Sequence, residues 1–216
     1  FGNMKALLLK QHASILPFCK GKEILKATIV SMPLEGTLRA LMEPFYDTHA
    51  HLTFPDFAAE IPGLIERAQA AGITRIISIG TDFESSQHAV ALAEAHAPVY
   101  AVVGWHPNDL ATAPDDVAPE LRKLCGHPKV VAIGETGIDH FRLPSGNGGS
   151  AADDEAWKTR QIKIFRQQLE LAVEQNLNVV IHQRAALEPT LEIFQEYADR
   201  VRGQFHCSVE IGRAHV

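Results

Sequence analysis

From residue 45 onward the chain alternates six short β-rich runs with stretches of helical spacing, and that alternation restricts it to very few architectures. The candidate strands are Phe45–His49, Arg75–Gly80, Val99–Gly104, Val130–Glu135, Asn178–His182 and Gln204–Cys207. Between them lie Ala59–Ala71, Ser85–Ala95, Val117–Cys125, Ala156–Asn176 and Leu187–Val201, which read as helices. In the fourth, Ile162, Phe165, Leu169, Ala172 and Val173 recur at threes and fours and mark one buried face. Arg75-Ile76-Ile77-Ser78-Ile79-Gly80 and Val179-Val180-Ile181 are nearly continuous in apolar character, as parallel strands covered on both faces should be. The expected class is α/β with a parallel sheet, either a barrel or a doubly wound layer.

The positions of a few polar residues separate those two. His49, His51, His106, Glu135, His182 and His206 all fall at or just beyond the carboxyl ends of candidate strands. A barrel gathers many strand ends around one axis. An open sheet has its site at one switch point and would scatter them. The reading is therefore a (β/α)8 TIM-type barrel, present here as about six of eight β/α units.

His49 and His51 stand one residue apart at a strand end, so both side chains leave the same face, with Asp47 one step earlier. Two such imidazoles can chelate a divalent metal. Alone the pair is weak evidence, because a chain with 11 histidines meets H-x-H by chance. Five ligand-type residues in register with strand ends are stronger. A two-metal hydrolase needs cations ~3.5–4 Å apart, bridged best by a carboxylate. His49 and His51 suit one metal, Glu135 the bridge, and His182 and His206 the second.

With 216 residues, 46% of them hydrophobic, the chain can bury a sizeable core. Three widely spaced cysteines, Cys19, Cys125 and Cys207, make neither a disulfide framework nor a cysteine zinc site and point to a reducing, cytoplasmic setting. No apolar run reaches the ~18 residues of a membrane span. A net charge of -6 argues against a broad phosphate-binding surface, though not against a small cationic site gripping one phosphate.

Residues 143–155 form a polar, glycine-rich segment after the fourth strand, expected to be either a lid or a disordered insertion. Residues 1–41 carry six Lys/Arg against two Asp/Glu and no strand–helix rhythm, so they are expected to be an extension outside the native fold, with a natural start at Met42. Residues 42–209 are the expected partial-barrel domain. The last residues, Ile211-Gly212-Arg213-Ala214-His215-Val216, are what the start of a common sequencing adapter would encode, so 210–216 are expected to be an adapter-derived tail.

The chain resembles the TatD family of metal-dependent deoxyribonucleases, within the wider amidohydrolase-like barrels, from about Phe45 to Cys207. The resemblance rests on Asp47-Thr48-His49-Ala50-His51-Leu52, Gly104-Trp105-His106-Pro107, Gly134-Glu135-Thr136-Gly137-Ile138-Asp139, the helix Arg160-Gln161 to Ala172, Val180-Ile181-His182-Gln183-Arg184-Ala185, and Phe205-His206-Cys207. It implies His49, His51 and Glu135 on a first metal and Glu135, His182 and His206 on a second, with Glu135 as the catalytic residue. It also implies His106 and Arg184 beside the site, where a substrate phosphate is held. His140 stands where the family usually has Tyr, and Ser208 where it has an aromatic. The family's last ligand, an Asp after an eighth strand, has no counterpart here, so the chain by itself is expected to be inactive and poorly folded.

The expected function is a metal-dependent hydrolase of the nuclease type. It would cleave phosphodiesters of DNA or a smaller ester with water activated by two divalent ions (Mg, Zn or Mn), without a membrane or an obligate protein partner. The rival enzyme is an amidohydrolase-type C–N hydrolase. Such enzymes often place a carboxylated Lys after strand four, where this chain has Glu135 and no Lys in Val130–Glu135. The non-enzyme rival is a metal-free scaffold or binding protein, which leaves the strand-end ligands without a purpose.

Overall fold

A computed structural model describes residues 44–206. The expected extension 1–41 and tail 210–216 lie outside them. The strands are β1 (Phe45–Ala50), β2 (Ile73–Ile79), β3 (Val99–Val103), β4 (Val130–Asp139), β5 (Asn178–Arg184) and β6 (Gly203–His206). The helices are α1 (Ile61–Ala70), α2 (Phe83–Ala95), α3 (Ala118–Cys125), α4 (Ala151–Gln175) and α5 (Leu187–Gln195). All adjacent strands pair in parallel, in the order β1-β2-β3-β4-β5-β6. Neighbours in sequence are neighbours in space throughout. The strand order never reverses, as a doubly wound sheet would require, and the architecture is an incomplete (β/α) barrel.

The apolar alternation of the strands feeds two clusters. Ala101, Val103, Val179 and Ile181 join Phe165, Leu169, Leu121 and Ala89 in the large cluster under the helices. Ile79, Val102, Ala132 and Val180 form a smaller cluster of their own. Because side chains alternate, His182 has the same parity as Val180. Burying a ring such as Phe165, fully hidden on α4, contributes about 2–3 kcal/mol.

Two glycines let the strands around the site approach closely. A Cβ on Gly104 would stand 2.5 Å from the Gly134 oxygen. Gly134 has φ +143, and a Cβ there would stand 2.5 Å from the Val180 oxygen. Only glycine combines that backbone conformation with that contact.

Three elements differ most from expectation, and one of them is α5, expected to reach Val201 but ending at Gln195. β4 runs four residues past Glu135, to Asp139, because Thr136–Asp139 stay paired with Ile181–Arg184 of β5. The 143–155 segment is not one loop. Pro144–Asn147 make a short 3-10 turn, and α4 begins at Ala151. Ser150 and Asp153 start it with a capping box: Asp153 Oδ2 accepts the Ser150 N–H at 2.7 Å, and Ser150 Oγ accepts the Asp153 N–H at 3.3 Å. Among the described residues no helix is long and apolar enough to cross a membrane.

Candidate active site

Glu135 is the hub of the strand ends. Its side chain is almost wholly buried, and its two oxygens face different groups of imidazoles. Oε2 stands 3.3 Å from His49 Nε2 and 3.9 Å from His51 Nε2. Oε1 stands 3.0 Å from His182 Nδ1 and 4.0 Å from both His106 Nε2 and His206 Nε2. Five of the histidines singled out from sequence thus surround one carboxylate, delivered by β1, β3, β5 and β6 while β4 supplies the acid.

The β1 pair converges as its spacing requires. His49 Nε2 and His51 Nε2 are 3.2 Å apart, and Asp47 Oδ1 accepts the His49 backbone N–H at 3.1 Å. The His206 ring stacks on His49 with centroids 3.5 Å apart and planes inclined by 6°. Arg184 ends β5, and its guanidinium lies 3.7 Å over the Phe141 ring rather than on the Glu135 carboxylate.

Sequence reasoning left out two polar residues that matter here. Asp139 Oδ2 accepts from His182 Nε2 at 3.0 Å and from Asn108 Nδ2 at 2.9 Å. Its other oxygen takes the backbone N–H groups of Phe141 and Arg142 at 2.9 and 3.0 Å. The available signal was the alternation Glu135, Gly137, Asp139, which places both acids on one face if the strand continues. Asn108 carried no comparable signal.

The long helix α4 holds this arrangement from behind with two buried glutamines. Gln168 Oε1 accepts the Trp105 N–H at 2.8 Å, and its Nε2 donates to the Trp105 oxygen at 3.0 Å and to Thr136 Oγ1 at 2.6 Å. Gln161 Oε1 accepts the Asp139 N–H at 3.2 Å, and its Nε2 donates to the Pro107 and Asp139 oxygens at 3.1 and 3.0 Å. His106 sits between the two anchored residues Trp105 and Pro107.

Electrostatics separate the imidazoles into two kinds. Burial alone would raise the Glu135 carboxyl, but hydrogen bonds from His182 and His49 hold it well below the usual carboxylate range. Asp139 is likewise opposed by burial, yet bonds from His182, Asn108 and the Arg142 and Phe141 amides hold it low. Burial works against a charged His182, but its bonds to Asp139 and Glu135 carry it up to about 9. His106 and His206 go the other way, lowered to about 4 chiefly by burial. His51 is lowered too, by burial and by His49.

These donors fit a metal. His49, His51 and Glu135 present atoms all within 4.8 Å of one another, and so do His106, Glu135 and His182. The Nε2 atoms of His49 and His51 converge on each other and on Glu135 Oε2, and a cation among them would take a lone pair from each imidazole and the charge of the carboxylate. His106 differs from the rest: its Nδ1 accepts the Asn108 N–H at 3.1 Å, so in the neutral ring the proton sits on Nε2 and points inward as a donor.

Known proteins share this arrangement of sequence and fold. The family described as "TatD related DNase" matches residues 46–214. The chain is 36% identical over 172 residues to the uncharacterized metal-dependent hydrolase YabD of Bacillus subtilis, covering 78% of this chain and 63% of that protein. It is 34% identical over 163 residues to the 3'-5' ssDNA/RNA exonuclease TatD of Cronobacter sakazakii, covering 75% of this chain and 58% of that protein. The crystal structure of the TatD homolog YjjV from Escherichia coli superposes with a TM-score of 0.63 at 32% identity, over 71% of this chain and 56% of that one. A TatD family hydrolase from Entamoeba histolytica, 24% identical, shows the same fold with a TM-score of 0.60. The chain thus spans about three fifths of the length of these relatives, and within that span it belongs to the TatD-related DNase family.

Proposed function

We propose that the protein is a metal-dependent nuclease that hydrolyses phosphodiester bonds near the end of a single strand. The observation that carries this reading is the buried Glu135 carboxylate, whose two oxygens face two separate sets of imidazoles. His49, His51 and Glu135 would hold one cation, and Glu135, His182 and His206 would hold a second. When bound, the divalent ions (Mg, Zn or Mn) polarise the scissile phosphate and lower the pKa of water.

The chain's own residues do the rest. Glu135 balances cationic charge from a buried position, where a carboxylate held ionised is little screened by water. Asp139 accepts from His182 Nε2 and so leaves Nδ1 as the atom that faces the site. His106, neutral and fixed by Asn108, offers its Nε2–H to a phosphate oxygen. Arg184 adds a fixed positive charge at the end of β5. The net charge of -6 provides no track for a long duplex and suits a strand end. Val130–Glu135 has no Lys to carry a carbamate, which disfavours amide hydrolysis. The free, buried Cys125 thiol fits a reducing compartment such as the cytoplasm.

The test uses a protein extended through two further β/α units, to the length of its relatives. End-labelled single-stranded DNA should lose nucleotides from one end when a divalent metal is added, and a chelator should stop the loss. Cleavage of cyclic amides with nucleic acids left intact would end the nuclease reading.

A further inference from the structure

We infer that Phe54 and Phe141 are stacking platforms for the bases that flank the scissile bond. The inference rests on the nuclease reading and adds how the strand end is gripped. Both rings are exposed, Phe54 by 49% and Phe141 by 63%. Exposure alone says little, since single apolar side chains are common on surfaces. Their anchoring says more.

Phe54 lies face to face with His51, centroids 5.0 Å apart and planes inclined by 6°. The ring is held parallel to an imidazole whose Nε2 is 3.9 Å from Glu135 Oε2. Phe141 is fixed by contacts of its own. Its backbone N–H donates to Asp139 Oδ1, the same carboxylate whose other oxygen holds His182. Its ring carries the Arg184 guanidinium. One platform therefore follows β1 and the other follows β4, and each is tied through one residue to the groups around Glu135.

The charge of the protein supplies the reason for such platforms. A polyanion approaching a chain of net charge -6 gains little from a basic surface outside the site that grips one phosphate, so affinity for the flanking nucleotides must come from contacts that do not depend on phosphate. Stacking of bases on aromatic rings supplies it and tolerates any sequence. Phenylalanine has no polar atom with which to read a base edge, so the grip should be indifferent to base identity.

The experiment measures binding of the full-length, metal-loaded protein to two phosphorothioate tetramers that resist cleavage, one of thymidines and one abasic with the same backbone. The base-bearing tetramer should bind roughly a hundredfold or more tightly, about tenfold for each of the two platforms. Phe54→Ala and Phe141→Ala should each remove roughly tenfold of that preference and leave abasic binding unchanged. Phe54→Trp and Phe141→Trp should keep the preference, with indole emission quenched only by the base-bearing tetramer. Metal titration runs beside each variant, and if Phe54→Ala disturbs His51 and loses metal, Phe54→Trp and the Phe141 variants decide. Equal binding of the two tetramers by the unaltered protein, or full preference retained in both alanine variants, overturns the platforms and leaves the nuclease reading standing. Failure of both tetramers to bind a protein that still takes up metal overturns both.

Discussion

Asp139 Oδ2 lies 3.0 Å from His182 Nε2, on the far side of the ring from Glu135. The carboxylate thus fixes which nitrogen of His182 faces the site. Asp139→Asn presents an amide that can donate to Nε2 instead, which favours a proton on Nδ1 and competes with metal. Metal affinity should fall about 10- to 100-fold. Calorimetric titration with Mn2+ measures it, and an affinity equal to that of the unaltered protein would show that Asp139 does not position the ring.

The pH dependence of the metal-free protein has a definite sign on each side. His182 is raised from 6.5 to about 9 in the folded chain. Its ion pairs therefore contribute fully below pH 6.5 and are lost as pH climbs through 9. His106 and His206, lowered to about 4, do the reverse: their neutral burial costs nothing above pH 6.5, and stability falls as pH drops toward 4. Denaturant midpoints should peak between these windows and decline both ways. Metal affinity, in contrast, should climb with pH toward 9 as the His182 Nδ1 proton becomes easier to displace. Midpoints that are flat from pH 4 to 9 would contradict this account.

Gln168→Ala leaves the Trp105 N–H and C=O buried without their partner. The loss should be on the order of 3 kcal/mol, read as a lower thermal midpoint. Gln168→Met, similar in volume, should rescue little, because the deficit is polar. A thermal midpoint unchanged in both variants would mean that water replaces the amide.

Gly134→Ala meets the Val180 oxygen at 2.5 Å from a backbone with φ +143. Destabilisation of at least ~2 kcal/mol is expected, with the larger effect on metal uptake because Glu135 is the next residue. Unchanged uptake in a folded variant would show that β4 yields at little cost.

Much of this was legible in the chain, for identifiable reasons. The period-2 spacing of His49 and His51 and the β/α alternation are local signals, and the structure returns them as a strand end and a sequential parallel sheet. Glu135, His182 and His206 were singled out by their place at the ends of candidate strands, and the structure brings the two histidines to within 4.0 Å of the carboxylate. Asp139 was missed because reading β4 as ending at Glu135 put it in a loop, when pairing with Arg184 keeps it in the strand. Asn108 makes its contact 31 residues away, which no local pattern encodes. Residues 143–155 read as one polar loop because composition outweighed the Ser150–Asp153 cap.

The two glutamines of α4 also bear on how the protein can change. Gln161 and Gln168 are two helical turns apart, and together they tie the flanks of His106 and both ends of the acid-bearing segment to one rigid rod. Residues 143–150 lie beyond the Phe141 and Arg142 amides that hold Asp139, and they rejoin the fold at that rod. Growth or shrinkage of this stretch is absorbed before it reaches Glu135, so the segment can be remodelled to suit new substrates while the ligand geometry stays inherited.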